Sequence, residues 1–311
     1  MEIFKKVLKP DPDLFFKKND KSDPRLGEMV LTEEKDFDQA EIVILGSPQD
    51  EGVRRNNGRP GAAKAPDLIR KEFYKFPAQG NLLNKKVFDI GNIPTSATLE
   101  EIHSSQKEVV KELIGGGKTL IVLGGGNDIS YPDCSAVSEI SGENLLAFNI
   151  DSHFDVRESP ERNSGTPYRQ LLEEEYIKPE NFLQIANKPY TNSDYYKKYL
   201  DEKGVLIYTL DLLRESGVRK LLNTILQTKN GYTVFWGFDM DSVRAGDAPG
   251  VSASYPAGLT AEEACDIASI AGENKDSKIF EISEVNPIYD IDNRTTKLAA
   301  TLMVCFLLAR S

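Results

Sequence analysis

Three cysteines, Cys134, Cys265 and Cys305, are all that 311 residues carry, and no two of them form a C-x-x-C pair. That scarcity argues against a disulfide framework and against a zinc–thiolate site. Basic residues are also in deficit: 38 Lys and Arg face 49 Asp and Glu, a formal charge of -11. A protein that tracks nucleic-acid phosphates carries a basic face, so this charge disfavours nucleic acid as a partner, and an anionic membrane surface for the same reason. The C-terminal apolar stretch, residues 298–309, is too short to span a bilayer, which takes about 20 residues. No apolar h-region follows Met1-Glu2-Ile3-Phe4-Lys5-Lys6, so no signal peptide is evident. The chain shows no internal repeat, no low-complexity tract and no linker. The expectation is a cytoplasmic protein of a reducing compartment.

What is present is a chain at 40% hydrophobic residues, enough to bury a substantial core. Residues 1–40 are polar and charge-rich, with Asp11-Pro12 and Asp23-Pro24, and read as an N-terminal arm. Residues 41–311 read as one domain. Short apolar runs predict strands at 42–46, 87–90, 119–123, 145–150, 182–186, 205–209, 232–238 and 278–283. Helical patterns fall between them, at 99–113, 212–227, 260–272 and 296–309, and Pro66 suits a helix's first turn. Continuous apolar strands alternating with helices predict an α/β fold, three layers deep, with a mainly parallel central sheet. In such sheets ligands bind beyond the carboxyl ends of the strands.

Two acidic clusters fall at that position. Leu145-Leu146-Ala147-Phe148 runs into Asn149-Ile150-Asp151-Ser152-His153-Phe154-Asp155, and Val234-Phe235-Trp236 runs into Asp239-Met240-Asp241. On an extended backbone Asp151, His153 and Asp155 share one face. Carboxylates with one imidazole suit Mn²⁺ or a similar divalent ion, and several carboxylates can hold two ions that activate a shared water. An Asp after a strand often makes only a turn, but that explains one Asp more easily than both clusters together. Gly124-Gly125-Gly126-Asn127-Asp128 ends a third strand, where it is either a plain turn or a segment whose glycines approach the same site. Position 129 is Ile, so this is no dinucleotide fingerprint; Gly115-Gly116-Gly117 reads as a helix terminator.

The ordered set resembles the ureohydrolase superfamily of arginases, agmatinases, guanidinobutyrases and formimidoylglutamases. The resemblance spans roughly residues 40–305 and includes Phe238-Asp239-Met240-Asp241-Ser242, Glu281-Ile282-Ser283-Glu284-Val285-Asn286-Pro287, and Gly58-Arg59-Pro60-Gly61-Ala62 with Pro66 and Arg70. It implies an arginase-like fold, two Mn²⁺ ions and hydrolysis of a C–N bond. It further implies that Asp151 and Asp239 bridge both ions, that Asp155 binds one, and that His153 and Asp241 bind the other. Asp155 and Glu284 become the catalytic pair, Glu284 meeting the cationic amidine or guanidine of a small-molecule substrate. Homo-oligomers, trimers or hexamers, are implied as well.

The chain departs from the family at Asn127, where a His usually ligates the first metal. A neutral amide oxygen is a weaker ligand, so that site is expected to bind loosely or stay empty. A proton-shuttling His is also missing after the first cluster, since His103 is the only other histidine. Asn163-Ser164-Gly165-Thr166-Pro167-Tyr168-Arg169 stands there instead and is similar to formimidoylglutamases, which act in histidine metabolism. Arg157 or Arg169 is expected to hold a substrate carboxylate, with Asn163 and Ser164 offering hydrogen bonds. The alternatives are a guanidine hydrolase and a metal-poor, non-catalytic homologue.

Overall fold

The computed structural model describes residues 1–311. All eight expected strands form: β1 Ile42–Ser47, β2 Val87–Asn92, β3 Thr119–Gly124, β4 Leu145–Ile150, β5 Phe182–Asn187, β6 Leu206–Thr209, β7 Thr233–Asp239 and β8 Ser277–Ser283. They build one sheet in the order β2-β1-β3-β8-β7-β4-β5-β6. Every neighbouring pair is parallel. An all-parallel sheet needs cover on both faces, and alternation along each strand supplies it. Ile121 and Leu123 enter one hydrophobic core, and Leu120 and Val122 enter the other. The first core packs helices Ala65–Phe73, Ala261–Glu273 and Arg294–Ala309, and the second packs Leu99–Gly115 and Ser130–Ser141. The result is the expected three-layer α/β architecture.

Helix boundaries follow local chemistry. Thr98 and Glu101 form a capping box at the start of Leu99–Gly115, and Thr260 and Glu263 do the same for Ala261–Glu273. The single helix expected over 212–227 is instead two, Leu210–Ser216 and Val218–Thr228. Gly217 separates them at φ 79°, a left-handed conformation that interrupts the helical turn. No helix is long and apolar enough to cross a membrane.

Residues 1–40 hold only short helical turns. They lie on the free edge of β2, where Leu8 bridges Asn92 and Leu31 bridges Phe88. Ile3, Val7, Leu26 and Phe37 are buried there, so a polar stretch is anchored by a few apolar contacts. Arg70 is fully buried and donates to Asp89 at 2.7 and 3.1 Å, while Tyr74 also donates to Asp89. That network ties helix Ala65–Phe73 to β2, a structural role for an Arg in the family-like stretch.

Candidate active site

Four central strands, β3, β8, β7 and β4, bring their carboxyl ends side by side. Ile150 pairs with Phe238, and Asp239 with Ser283, so Asp151, Asp239 and Ser283 continue one register line. The expected extended backbone over 151–155 is corrected. Asp151 Oδ1 accepts the His153 amide at 2.7 Å, and this turn folds the chain back on itself. Asp239 Oδ1 likewise accepts the Asp241 amide at 2.7 Å. Each turn uses one carboxylate oxygen and swings the next side chain over the strand ends. His153 Nδ1 consequently lies 2.9 Å from Asp241 and 3.5 Å from Asp151.

Asp155 sits at φ 48° and Glu284 at φ 62°. Left-handed backbone costs a non-glycine residue about 1–2 kcal/mol. Neighbours hold it: the Glu284 amide donates to Gly125 O at 2.8 Å, and Asp155 O accepts the Tyr168 amide at 3.2 Å. Strain of this kind concentrates where a side chain must be aimed.

Two sets of side chains can each hold a cation: Asp151, His153 and Asp241, and Asp151, Asp155 and Asp239, with ligand atoms within 4.8 Å of one another in each set. Asp151 belongs to both. The donor set is carboxylate oxygens with one imidazole, which suits a hard or borderline divalent ion. Buried Asp241 Oδ1 and Glu284 Oε2 have no hydrogen-bond partner, as expected where a cationic group is to be received. Burial, together with repulsion from neighbouring carboxylates, pushes Asp151, Asp239 and Glu284 well above the ordinary carboxylate range. Asp155 rises to about 6, chiefly through burial. The Asp241 carboxylate raises His153 to about 12, so a cation bound here must displace the proton of that ring.

The glycines of 124–126 serve close approach. A side chain on Gly125 would collide with the Gln49 carbonyl, and one on Gly126 would come within 2.6 Å of Asp128 Oδ1. Asp128 itself turns away, accepting from Gln49 Nε2 at 2.6 Å and pairing with His103 Nε2 at 2.7 Å. His103 is thereby a buried packing partner of this loop. Asn127 faces the site with its nitrogen: Nδ2 donates to Asp155 Oδ2 at 2.7 Å, while its own amide N–H donates to Glu284 Oε1 at 2.9 Å.

A cleft of about 270 Å³ opens over this floor. His153, Asp155, Asp239, Asp241 and Glu284 line its acidic end; Arg157 and Ser164 line its wall. The Arg157 side chain is exposed, rests over Gly165 and makes no hydrogen bond or ion pair, so its guanidinium donors are free, while its backbone N–H donates to Gly165 O at 2.7 Å. Two expectations are corrected. Asn163 is occupied by its own loop, accepting from Gly165 N at 2.9 Å and donating to Glu161 O at 3.2 Å. Arg169 is absent from the cleft lining and points to its own helix, 2.9 Å from Glu173 and 4.3 Å from the Tyr199 ring centre, where an i, i+4 ion pair and a cation–π contact engage its guanidinium. Asn56, Asn57, Arg59 and Ser252 also line the cleft and were not singled out as site residues from sequence. The one local sign was the turn-forming Asn56-Asn57-Gly58 run, where Asn57 takes φ 59°.

This arrangement has close counterparts. The arginase family profile matches residues 40–309. A formimidoylglutamase of Staphylococcus haemolyticus is 32% identical over 275 residues, 87% of this chain and 86% of its own length. One from Streptococcus pyogenes is 31% identical over 280 residues, 86% of this chain and 84% of its own. Among solved structures, the formiminoglutamase of Trypanosoma cruzi with Mn²⁺ superposes with a TM-score of 0.87 at 32% identity, covering 93% of this chain and 100% of that one. The Bacillus subtilis formimidoylglutamase reaches a TM-score of 0.87 at 26% identity, covering 93% of each chain. The eight-stranded parallel sheet, the acidic strand ends and these likenesses together place the chain in the arginase family.

Proposed function

We propose that this protein is a metal-dependent hydrolase of a linear amidine C–N bond, converting N-formimino-L-glutamate and water to L-glutamate and formamide. The observation that carries the reading is the polarity of the cleft. Its floor is anionic and ends in the unpartnered Glu284 Oε2, while its wall carries the unpaired guanidinium of Arg157. A substrate with a cationic formimino group at one end and carboxylates at the other matches both ends. The names of the similar bacterial and trypanosomal enzymes support the same substrate.

Two Mn²⁺ ions are the proposed cofactors, held by Asp151, His153, Asp155, Asp239 and Asp241. Bound there, they would lower the pKa of a water in the cleft and make it nucleophilic near neutral pH. Asp155 orients that water and accepts its proton. Glu284 receives the amidinium N–H donors and fixes the formimino carbon. Water oxygen adds to that carbon, the bond to the glutamate nitrogen breaks, and that nitrogen leaves with the proton that Asp155 took from the water. Arg157 and Ser164 hold a carboxylate of the substrate, and release of that anchor frees the product.

Steady-state assays with Mn²⁺ saturating, on formiminoglutamate, arginine, agmatine and guanidinobutyrate, test the reading. Formamide release from the first is expected. Urea from any of the others would make the enzyme a guanidine hydrolase instead, and no turnover of all four would reject catalysis. A place in histidine metabolism, cytoplasmic residence and a trimeric or hexameric assembly belong to the same proposal; light scattering on the purified protein tests the last.

A further inference from the structure

β5 lies beside β4 and contributes no residue to either cation-binding set. Its carboxyl end nevertheless touches the Asp151–Asp155 loop at almost every backbone carbonyl. Asn187 Nδ2 lies 3.2 Å from Asp151 O and 3.3 Å from His153 O. Asn192 Nδ2 and Thr191 Oγ1 both donate to Ser152 O at 2.8 Å, and Asn192 Oδ1 accepts the Phe154 amide at 2.9 Å. Gln184 Nε2 completes the set, donating to Phe154 O at 2.7 Å. The loop has left the sheet, so apart from the Lys188 amide, 3.4 Å from Ser152 O, and the Tyr168 amide on Asp155 O, its carbonyls have no backbone donor and need these side chains.

The backbone of β5 is bent to make this possible. In an uninterrupted strand, residues 184 and 187 point to opposite faces. Here Asn187 Nδ2 is 3.2 Å from Gln184 Oε1, so both side chains reach the same side. The register against β6 shifts between Ile185 and Asn187, and the extra residue, Ala186, is buried at φ 68°. Bulges of this kind re-aim side chains beside active sites. A buried alanine held in left-handed backbone is strained, and the strain persists where surrounding contacts over-determine it.

We infer that the end of β5, residues 184–192, is the template that sets the geometry of the Asp151–Asp155 ligand loop, with Asn187 as its principal positioning residue. Asn187 grips the backbone of Asp151 and His153 and belongs to neither cation-binding set itself. The inference rests on the proposed binding of Mn²⁺.

The test is Mn²⁺ titration of the metal-stripped full-length protein by calorimetry, with electron paramagnetic resonance of the bound ions. Asn187→Ala is expected to weaken Mn²⁺ binding about 10- to 100-fold, the range typical of partners that orient metal ligands, and to change the resonance signature of the bound ions. Asn187→Ser keeps one donor and is expected to recover part of the loss. Asn192→Ala, which leaves Thr191 on Ser152 O, gives a smaller loss in the same direction and serves if Asn187→Ala does not fold. Ser277→Ala removes the acceptor of the Trp236 indole, 2.9 Å away at the opposite end of the same sheet, and controls for general destabilisation. Wild-type affinity in both Asn187→Ala and Asn192→Ala would overturn the inference, as would an equal loss in Ser277→Ala. Failure of the wild-type chain to bind Mn²⁺ would instead remove the cation-binding reading and the template with it.

Discussion

Asn127 presents its carboxamide nitrogen, not its oxygen, to Asp155. The Nδ2–Oδ2 distance is 2.7 Å, and Ser283 Oγ donates to the amide oxygen from behind at 2.9 Å. Ser130 Oγ lies 3.2 Å from the same oxygen, but its proton is directed to Glu281 Oε1 at 2.5 Å. For its oxygen to ligate a cation, the amide would have to flip and break its bonds to Asp155 and Ser283 and a third, from Nδ2 to Asp151 Oδ2 at 3.4 Å. Asn127→His replaces that amide with an imidazole, a better transition-metal ligand. Calorimetric titration of the metal-stripped variant should show its weakest Mn²⁺ site tightened on the order of tenfold. Unchanged binding would mean that the amide is not what limits affinity.

Glu284 has one oxygen on the Asn127 amide and one free in the cleft. Glu284→Gln keeps the shape and removes the charge that faces the substrate amidinium. Loss of a charge-assisted hydrogen bond is worth about 1.5–3 kcal/mol, so kcat/KM should fall roughly 10- to 150-fold. Mn²⁺ stoichiometry should stay as in the wild type. Full activity in this variant would remove Glu284 from substrate binding.

Arg157 and Arg169 make a discriminating pair, because only Arg157 lines the cleft. Arg157→Ala should raise KM for formiminoglutamate by about 10-fold or more, through loss of a carboxylate partner. Arg169→Ala should leave KM near the wild-type value and remove only an ion pair with Glu173 and a contact with Tyr199. The reverse pattern would contradict the orientation proposed for the substrate.

Asp133 and Glu281 form a buried pair behind Asn127, away from the cleft. Gln106 Nε2 donates to Asp133 Oδ1 at 2.7 Å, while Asp133 Oδ2 and Glu281 Oε2 have no other donor and are left to share a proton between the two carboxyl groups. Burial pushes Asp133 to about 6, and burial with repulsion from Asp133 raises Glu281 well above its ordinary value. A raised carboxylate favours the fold below its unfolded pKa and loses that contribution as pH climbs through the folded value. Asp133→Asn keeps the acceptor for Gln106 and removes one of the two like charges. It should therefore stabilise the protein at pH 8 by about 1–3 kcal/mol, with the gain vanishing near pH 4. Denaturant melts of both proteins at the two pH values check this; equal stability at pH 8 would refute it.

Much of the fold was legible because buried parallel strands are short continuous apolar runs, and all eight occur within a residue or two of their expected places. The helix over 212–227 was misread as continuous because apolar periodicity persists across Gly217, whose left-handed backbone leaves no periodic mark. Arg169 and Asn163 looked as suitable as Arg157 and Ser164, since a guanidinium or an amide carries no sign of its direction. Asn56 and Ser252 were overlooked because cleft walls are assembled from loops, which have neither period nor alternation.

The sequence by itself determined the chemistry available at this centre: which side chains are carboxylates, where the single ligating imidazole falls, and that each cluster follows a buried strand. Residue type and spacing are local, and local rules govern strand formation. Tertiary structure alone decided that β3, β8, β7 and β4 would be neighbours, so that Asn127, Glu284, Asp239 and Asp151 meet. It also decided that β5, with no ligand of its own, would bend at Ala186 and reach the loop beside it. Strand order and left-handed turns arise from packing between segments far apart in the chain, and no short stretch of residues records them.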